Sequence, residues 1–299
     1  MTGSPSIEPL LERVLAGETL SEADTRALFE SRDLLSLGMA ADELRRRRHG
    51  TQVTFVRVAD VPLDRAAGGD VAWEGSPGEL RLTGTPRDLA QAVAAVSAAV
   101  VAAGTMPVTA FSLGDIEQVA GDITTAGAWL MALKQAGLTA VAEAPVDGLR
   151  SPDALLEAAA TAGLPVARLT VDRAAEADRP SILARVAALV RAHPALEVFA
   201  PLPRRTSGLT PSTGYHDVHL VALSRLLVPV DHIQVDWQRY GPKLAQVALT
   251  FGADDVDGVS PRDEVTEGRR RSPLEEIRRN ILAASGEPAE RAALFLRHR

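Results

Sequence analysis

The 299-residue chain has no cysteine. It therefore cannot build a disulfide, a thiolate zinc site or an iron-sulfur cluster on its own side chains, and it has no cysteine nucleophile. Any metal would have to rest on imidazoles or carboxylates, and the expectation is a protein with neither metal nor cofactor. Lysine is nearly missing as well: Lys134 and Lys243 are the only two, so arginine carries the positive charge. There is no basic excess, since 32 Lys and Arg face 39 Asp and Glu, a formal charge of -7. Such a balance gives no general attraction to phosphate backbones or anionic membranes, and neither nucleic acid nor a membrane is expected as a partner. The two basic runs, 45–48 and 269–271, flank predicted helices and are expected to be solvated faces. No apolar run reaches the roughly 18 residues of a membrane span, because the stretch 89–106 is interrupted by Gln91, Ser97, Gly104 and Thr105. The first six residues lack the charged start and apolar core of a secretory leader, so the cytoplasm is the expected location. GxSxG, Walker A, GxGxxG and HExxH are all absent, which removes support for those enzyme classes.

What is present is a composition of 46% hydrophobic and 24% charged residues, that of a folded, water-soluble protein. The first fifty residues read as helices. Ser6 and Ser21 are placed to cap two of them, and a third runs over 33–48 until Gly50 breaks it. From there short apolar runs at 53–58, 79–82, 107–111, 140–142, 166–171, 196–199 and 232–235 alternate with helical patterns at 86–103, 114–120, 124–135, 152–162, 179–192, 214–227 and 241–250. Seven strands separated by helices imply an α/β protein, either a barrel or a doubly wound sheet. A polar loop over 260–271 follows, then a helix over 273–284 whose Leu274, Ile277, Ile281 and Leu282 should dock on the body. The expected organisation is one unit with three parts: helices to residue 50, a barrel over 51–259, and a loop and docking helix over 260–299.

Several stretches resemble one family. They are Asp33-Leu34-Leu35-Ser36-Leu37-Gly38-Met39-Ala40-Ala41-Asp42-Glu43-Leu44-Arg45, Leu133-Lys134-Gln135-Ala136-Gly137-Leu138, and Phe199-Ala200-Pro201-Leu202. The densest is Ile233-Gln234-Val235-Asp236-Trp237 with Gly241, Lys243-Leu244-Ala245-Gln246 and Phe251-Gly252-Ala253-Asp254-Asp255-Val256-Asp257-Gly258. As an ordered set they resemble the radical SAM enzymes of the menaquinone futalosine pathway, aminofutalosine synthase and cyclic dehypoxanthine futalosine synthase, and the related FO synthase subunits. The resemblance covers most of the chain. It implies a partial or complete (β/α) TIM-like barrel of the radical SAM type.

The departures fall where that family does its chemistry. Its members hold a [4Fe-4S] cluster with CxxxCxxC after the first strand, whereas this chain offers Asp60-Val61-Pro62-Leu63-Asp64-Arg65-Ala66-Ala67-Gly68-Gly69-Asp70. The strand end that should supply a Gly-Gly motif near the SAM amino group reads Leu82-Thr83-Gly84-Thr85, and a later Gly-Ala-Glu motif is replaced by Val141-Ala142-Glu143-Ala144-Pro145. The expectation is a cluster-less relative that binds a small aromatic carboxylate, a nucleoside-like ligand or an active pathway enzyme, without radical SAM catalysis. The alternative is a repurposed barrel enzyme doing non-radical acid-base or lyase chemistry.

In such barrels the chemistry gathers at the C-terminal strand ends. Glu143, Asp172 and Asp236 are the candidate bases there. Arg204 and Arg205 could clamp an anion, and Gln234, Asp236, Trp237 and Asp255 could line a ligand site. Arg173 stands beside Asp172 at the same strand end. Asp254, Asp255 and Asp257 lack the ligand spacing of an EF-hand and are expected to form a turn that fixes the last barrel segment and lines the mouth. His216 and His219 stand three apart on a predicted helix start, where a metal-dependent hydrolase would use both. The plainer reading makes them surface residues, with Asp217 beside them favoured by the helix dipole.

Overall fold

The computed structural model describes residues 7–173, 175–205, 213–265, 268 and 270–295. Three helices come first: α1 (Glu8–Leu15), α2 (Glu22–Glu30) and α3 (Leu34–His49). Ser21 caps α2 as expected, within a reciprocal capping box with Asp24, and Asp33 caps α3 through the Ser36 amide. Caps of this kind contribute about 1 kcal/mol each. Ser6 lies outside the described residues.

Eight parallel strands then alternate with helices. They are β1 (Gln52–Pro62), β2 (Glu79–Thr83), β3 (Val108–Ser112), β4 (Ala140–Pro145), β5 (Leu169–Thr170), β6 (Val198–Ala200), β7 (His232–Asp236) and β8 (Asp255–Val259). The helices between them are α4 (Leu63–Ala67), α5 (Leu89–Ala103), α6 (Leu113–Ala120), α7 (Ile123–Gln135), α8 (Pro152–Thr161), α9 (Arg179–Ala192), α10 (Gly214–Leu227) and α11 (Trp237–Leu249). Each strand pairs with the next, and β8 and β2 both pair with β1, so the sheet closes into a barrel. This is the TIM-like architecture the sequence suggests. Last come α12 (Pro273–Ala283) and a short β9 (Glu287–Glu290), which runs parallel to the first residues of β1, on the edge that β2 takes further along.

The apolar core lies between the strands and the helical ring. Leu80, Val108, Ile116, Leu130 and Leu133 are fully buried there, each contributing about 1.5–3 kcal/mol. The barrel interior is different: it is filled by ions. Asp257 binds both Arg81, at 2.8 and 3.0 Å, and Arg168, while Glu79 takes the Arg81 Nε–H at 2.8 Å and the Thr109 hydroxyl at 2.5 Å. One layer further toward the strand starts, Asp255 is gripped by Arg291 at 2.6 and 2.7 Å and accepts from Thr54 and Gln234. Three guanidiniums thus offset three carboxylates inside the barrel, and each of these six groups has an opposite partner, the condition under which such buried charges are tolerated.

Several expectations are corrected here. The Asp254-to-Gly258 stretch is the eighth strand and its lead-in, with Asp255 and Asp257 pointing into the barrel interior, where side chains two apart share a face. It therefore fixes the barrel from within, and its carboxylates do not line the mouth. Arg45 is only 1% exposed and binds Asp42, so it departs from the solvated face expected of the run 45–48, on which Arg46, Arg47 and Arg48 are exposed. Asp217 is buried and His219 half-buried toward α2, so of the expected surface residues only His216, whose side chain is 37% exposed, remains at the surface of this helix start.

Candidate functional site

A cavity of about 430 Å³ opens at the C-terminal ends of the strands. Its apolar walls are Leu82, Phe111 and Ala142, and its polar groups come from six different strand ends and the loops that follow them. Three of the sequence candidates meet here. Glu143 ends β4 and lies 2.8 Å from Arg204, which follows β6, and Arg204 lies 3.8 Å from Asp236 at the end of β7. Asp236 is also the N-cap of α11, accepting the Arg239 amide at 2.9 Å. That second bond fixes the carboxylate's orientation. Arg204 is steadied from behind: its carbonyl accepts from Arg239 at 2.7 Å, and its amide donates to Val171. Burial lowers the Arg204 pKa, and the charges of Glu143, Asp257 and Asp236 oppose that shift.

Two further carboxylates face the cavity and were not among the sequence candidates. Asp60, near the end of β1, and Asp115, in the first turn of α6, have no ion-pair partner among the described residues. Burial raises both pKa values, against Arg81 at Asp60 and against the Thr85 hydroxyl, 2.8 Å away, at Asp115. Phe111 adds a local strain: it has a φ of 61°, a backbone region that bulky side chains rarely enter, and it lies in the cavity wall. Arg239 and Gln238 complete the rim. The sequence signal for Asp60 is its place just after the apolar run 53–58, at the C-terminal end of β1.

The remaining candidates lie elsewhere. Arg205 and Asp172 pair at 3.1 Å outside the cavity, and Arg173 makes a looser contact with Asp172 at 3.6 Å. Gln234 and Asp255 are buried in the interior lattice below the cavity floor. Trp237 is buried on the far side of α11, beside Pro242 and Pro273. His216 Nδ1 lies 3.4 Å from Glu176, and His216 and His219 belong to no group of three potential metal ligands among the described residues. The one such group is His49, His232 and Asp254 at the opposite end of the barrel. There Arg225 neutralises the carboxylate, and His49 Nε2, which faces it, donates to the Asp231 carbonyl at 2.8 Å and so carries a proton rather than a free lone pair.

Comparison with known proteins bears on this geometry. Aminodeoxyfutalosine synthase of Thermus thermophilus is 25% identical over an alignment of 356 positions that covers 97% of this chain and 95% of that protein. The chain is similar to this futalosine-pathway protein over nearly its whole length. A segment of the chain is also 37% identical over 97 residues to 5-amino-6-(D-ribitylamino)uracil--L-tyrosine 4-hydroxyphenyl transferase 2 of Methanosarcina mazei, a match spanning only a quarter (25%) of that protein. Among solved structures, methylornithine synthase superposes with a TM-score of 0.65 at 17% identity, covering 94% of this chain and 97% of the other. The hydrogenase maturase HydG gives 0.64 at 12% identity, covering 96% and 76%. Identities that low show the fold alone. No protein-family model matches the chain.

The futalosine relatives' cofactors can be set against the residues. Where the cluster loop would follow the first strand, this chain has α4, with Leu63 and Ala66 buried and Asp64 accepting from Gln91 of α5 at 2.7 Å. That segment offers no thiolate or imidazole and packs as a small helix on α5, so it does not fit an iron-sulfur cluster. At the end of β2, Gly84 lies beside the Leu63 side chain but stays exposed and lines the mouth cavity.

Proposed function

We propose that this chain is a cluster-less relative acting in the menaquinone futalosine pathway, binding a nucleoside-like ligand at the barrel mouth beside an active pathway enzyme, without radical SAM catalysis. The observation that carries the reading is the convergence of Glu143, Arg204 and Asp236 on one cavity, above a first strand whose exit has no cluster ligands. A cavity of this size with a few converging polar groups suits a small molecule. Its lining favours the nucleoside over the aromatic carboxylate. Arg204 is already engaged by Glu143, Arg81 by Glu79 and Asp257, and Arg239 lies 3.5 Å from Asp236. Among the described residues each of these cations already has a carboxylate within ion-pair distance, although the buried Arg204 Nε–H makes no hydrogen bond, while Asp60, Asp115 and Glu143 can accept from ribose hydroxyls.

Calorimetric titration with futalosine and with an enolpyruvyl benzoate tests this. Futalosine should bind, and Glu143→Gln should weaken it about tenfold, the loss of roughly one charge-assisted hydrogen bond. Binding of neither compound, together with failure to capture a pathway enzyme from a producing cell, sinks the proposal.

A second reading has its own support. General acid-base catalysis needs a carboxyl whose pKa is tuned upward, and Asp60 and Asp115 are both shifted that way by burial. Turnover of a pathway metabolite that is lost in Asp60→Asn, with the fold intact, would establish a non-radical lyase or related enzyme. Absence of turnover by the wild-type protein removes it.

A further inference from the structure

A second cavity, of about 330 Å³, lies on the outside of the barrel, between the end of α2, the turn Glu176–Asp178 and the first turns of α9 and α10. Phe29, Pro180, Leu220 and Leu223 give it an apolar wall. Arg179 and His219 are its more buried polar groups, and the solvent-exposed Arg26, Glu30 and Glu176 also line it.

Arg179 is 8% exposed. One of its terminal nitrogens donates to the His216 carbonyl at 3.3 Å, but its buried Nε–H has no acceptor and no carboxylate lies within ion-pair distance among the described residues. A guanidinium out of water without an anion is costly, because nothing replaces the solvation it gives up. His219 presents the complementary deficit in the same cavity: its buried Nε2 also has no partner. The Leu28 backbone acts on this ring in a way that favours its charged form, and we assign the ring proton to Nδ1, which leaves the unpartnered Nε2 as an acceptor. Burial, Arg179 and His216 all push the imidazole toward neutrality, so Nε2 carries a lone pair. A cation would meet the Arg179 charge, which argues against a metal on this nitrogen.

The cavity therefore combines an unpaired cationic donor, an unpaired neutral acceptor and a hydrocarbon wall. We infer that it is a binding site for a small carboxylate that bears an adjacent hydroxyl or amine. The carboxylate pairs with Arg179, the donor bonds His219 Nε2, and the rest of the molecule packs on Phe29, Leu220 and Leu223. This site is separate from the mouth and does not depend on the function proposed there.

Both enantiomers of mandelate, with benzoylformate as comparison, provide the probes. The two molecules share a carboxylate and a ring, but benzoylformate has a ketone where mandelate has the hydroxyl donor. One mandelate enantiomer should bind the full chain about tenfold more tightly than benzoylformate, the upper range for one hydrogen bond. Arg179→Gln should lose mandelate binding. Because that variant could fail to fold, the wild-type protein is also followed by NMR. Mandelate should shift the Arg179 Nε and His219 ring resonances, and its phenyl protons should show contacts to Phe29. Equal affinity for mandelate and benzoylformate, no binding of either mandelate enantiomer, retained binding in folded Arg179→Gln, or shifts confined to Glu143 and Arg204 would each overturn the assignment.

Discussion

Asp257 on β8 reaches across β1 to hold Arg81 on β2 with both carboxylate oxygens, at 2.8 and 3.0 Å. The same carboxylate also binds Arg168 from beyond β4. One side chain thus ties together the seam where the barrel closes and its opposite wall. Asp257→Asn should cost about 3–5 kcal/mol, the range for breaking a buried ion pair and leaving its partners uncompensated. Urea unfolding followed by circular dichroism measures it, and a loss below about 1 kcal/mol would mean that the lattice relaxes around the change.

Acid should act through the same groups. Asp257 and Asp254 are held well below the usual carboxylate range, by Arg168 and Arg81 in one case and by Arg225 and His232 in the other, which outweigh the effect of burial. A carboxyl depressed in the folded state stabilises fully above its unfolded value of about 3.9, and that contribution disappears as pH falls toward the folded value. Stability should therefore drop steeply below about pH 4. In Asp257→Asn the wild-type slope should be shallower there, as urea midpoints over that range would show.

Two histidines should titrate late. Burial lowers the pKa of His49 and His219, so both hold neutral rings where an unfolded chain, with a value of about 6.5, already takes up protons. Their contribution is whole above that pH and declines as pH falls through it toward the folded values. NMR titration of the ring protons should place both midpoints below that of an unfolded reference peptide; a midpoint above it would contradict the placement of the ring concerned.

Gly252 marks a tight contact. Its φ is +99°, and an added Cβ would lie 2.9 Å from Arg225 and 3.0 Å from Ala41. Gly252→Ala combines backbone strain with a clash against a buried arginine, and a destabilisation of about 2 kcal/mol or more is expected. Thermal unfolding tests this directly.

Iron and sulfide should not assemble on this chain. Anaerobic reconstitution is expected to leave no visible charge-transfer band and no cluster signal by electron paramagnetic resonance, since the exit of β1 is α4, with Leu63 and Ala66 in the core. A stoichiometric cluster signal would overturn the reading of that segment.

Seven of the eight barrel strands were legible as apolar runs, and α5 to α12 fell near their expected positions. The eighth was not, because its sequence Asp255-Val256-Asp257-Gly258-Val259 turns the usual rule round: the charged residues face inward, to arginines contributed by distant parts of the chain. Nothing local announces those partners. Gln234 looked like a mouth residue for the same reason, since its register against Asp255 places it in the interior. Glu143, Arg204 and Asp236 were recognisable because strand ends could be located, and Asp236 doubles as a helix cap. α11 begins four residues before its expected start, at Trp237, because Asp236 caps it; Gly241, with a φ of 77°, followed by Pro242 puts a kink where a helix start was expected. β9 was hidden by its composition, as Glu287-Pro288-Ala289-Glu290 has neither apolar alternation nor β-branched residues.

That last strand has a consequence for how the protein is made. β1 leaves the ribosome before the other barrel strands, yet the edge of its early residues is covered by β9, which follows all of them. Until then Gln52 to Phe55 keep open hydrogen-bonding groups along a stretch whose Val53 and Phe55 end up almost wholly buried. An unfinished chain therefore carries a sticky edge while the rest of the barrel is synthesised, so stalled or prematurely terminated synthesis should yield aggregates and clients for chaperones.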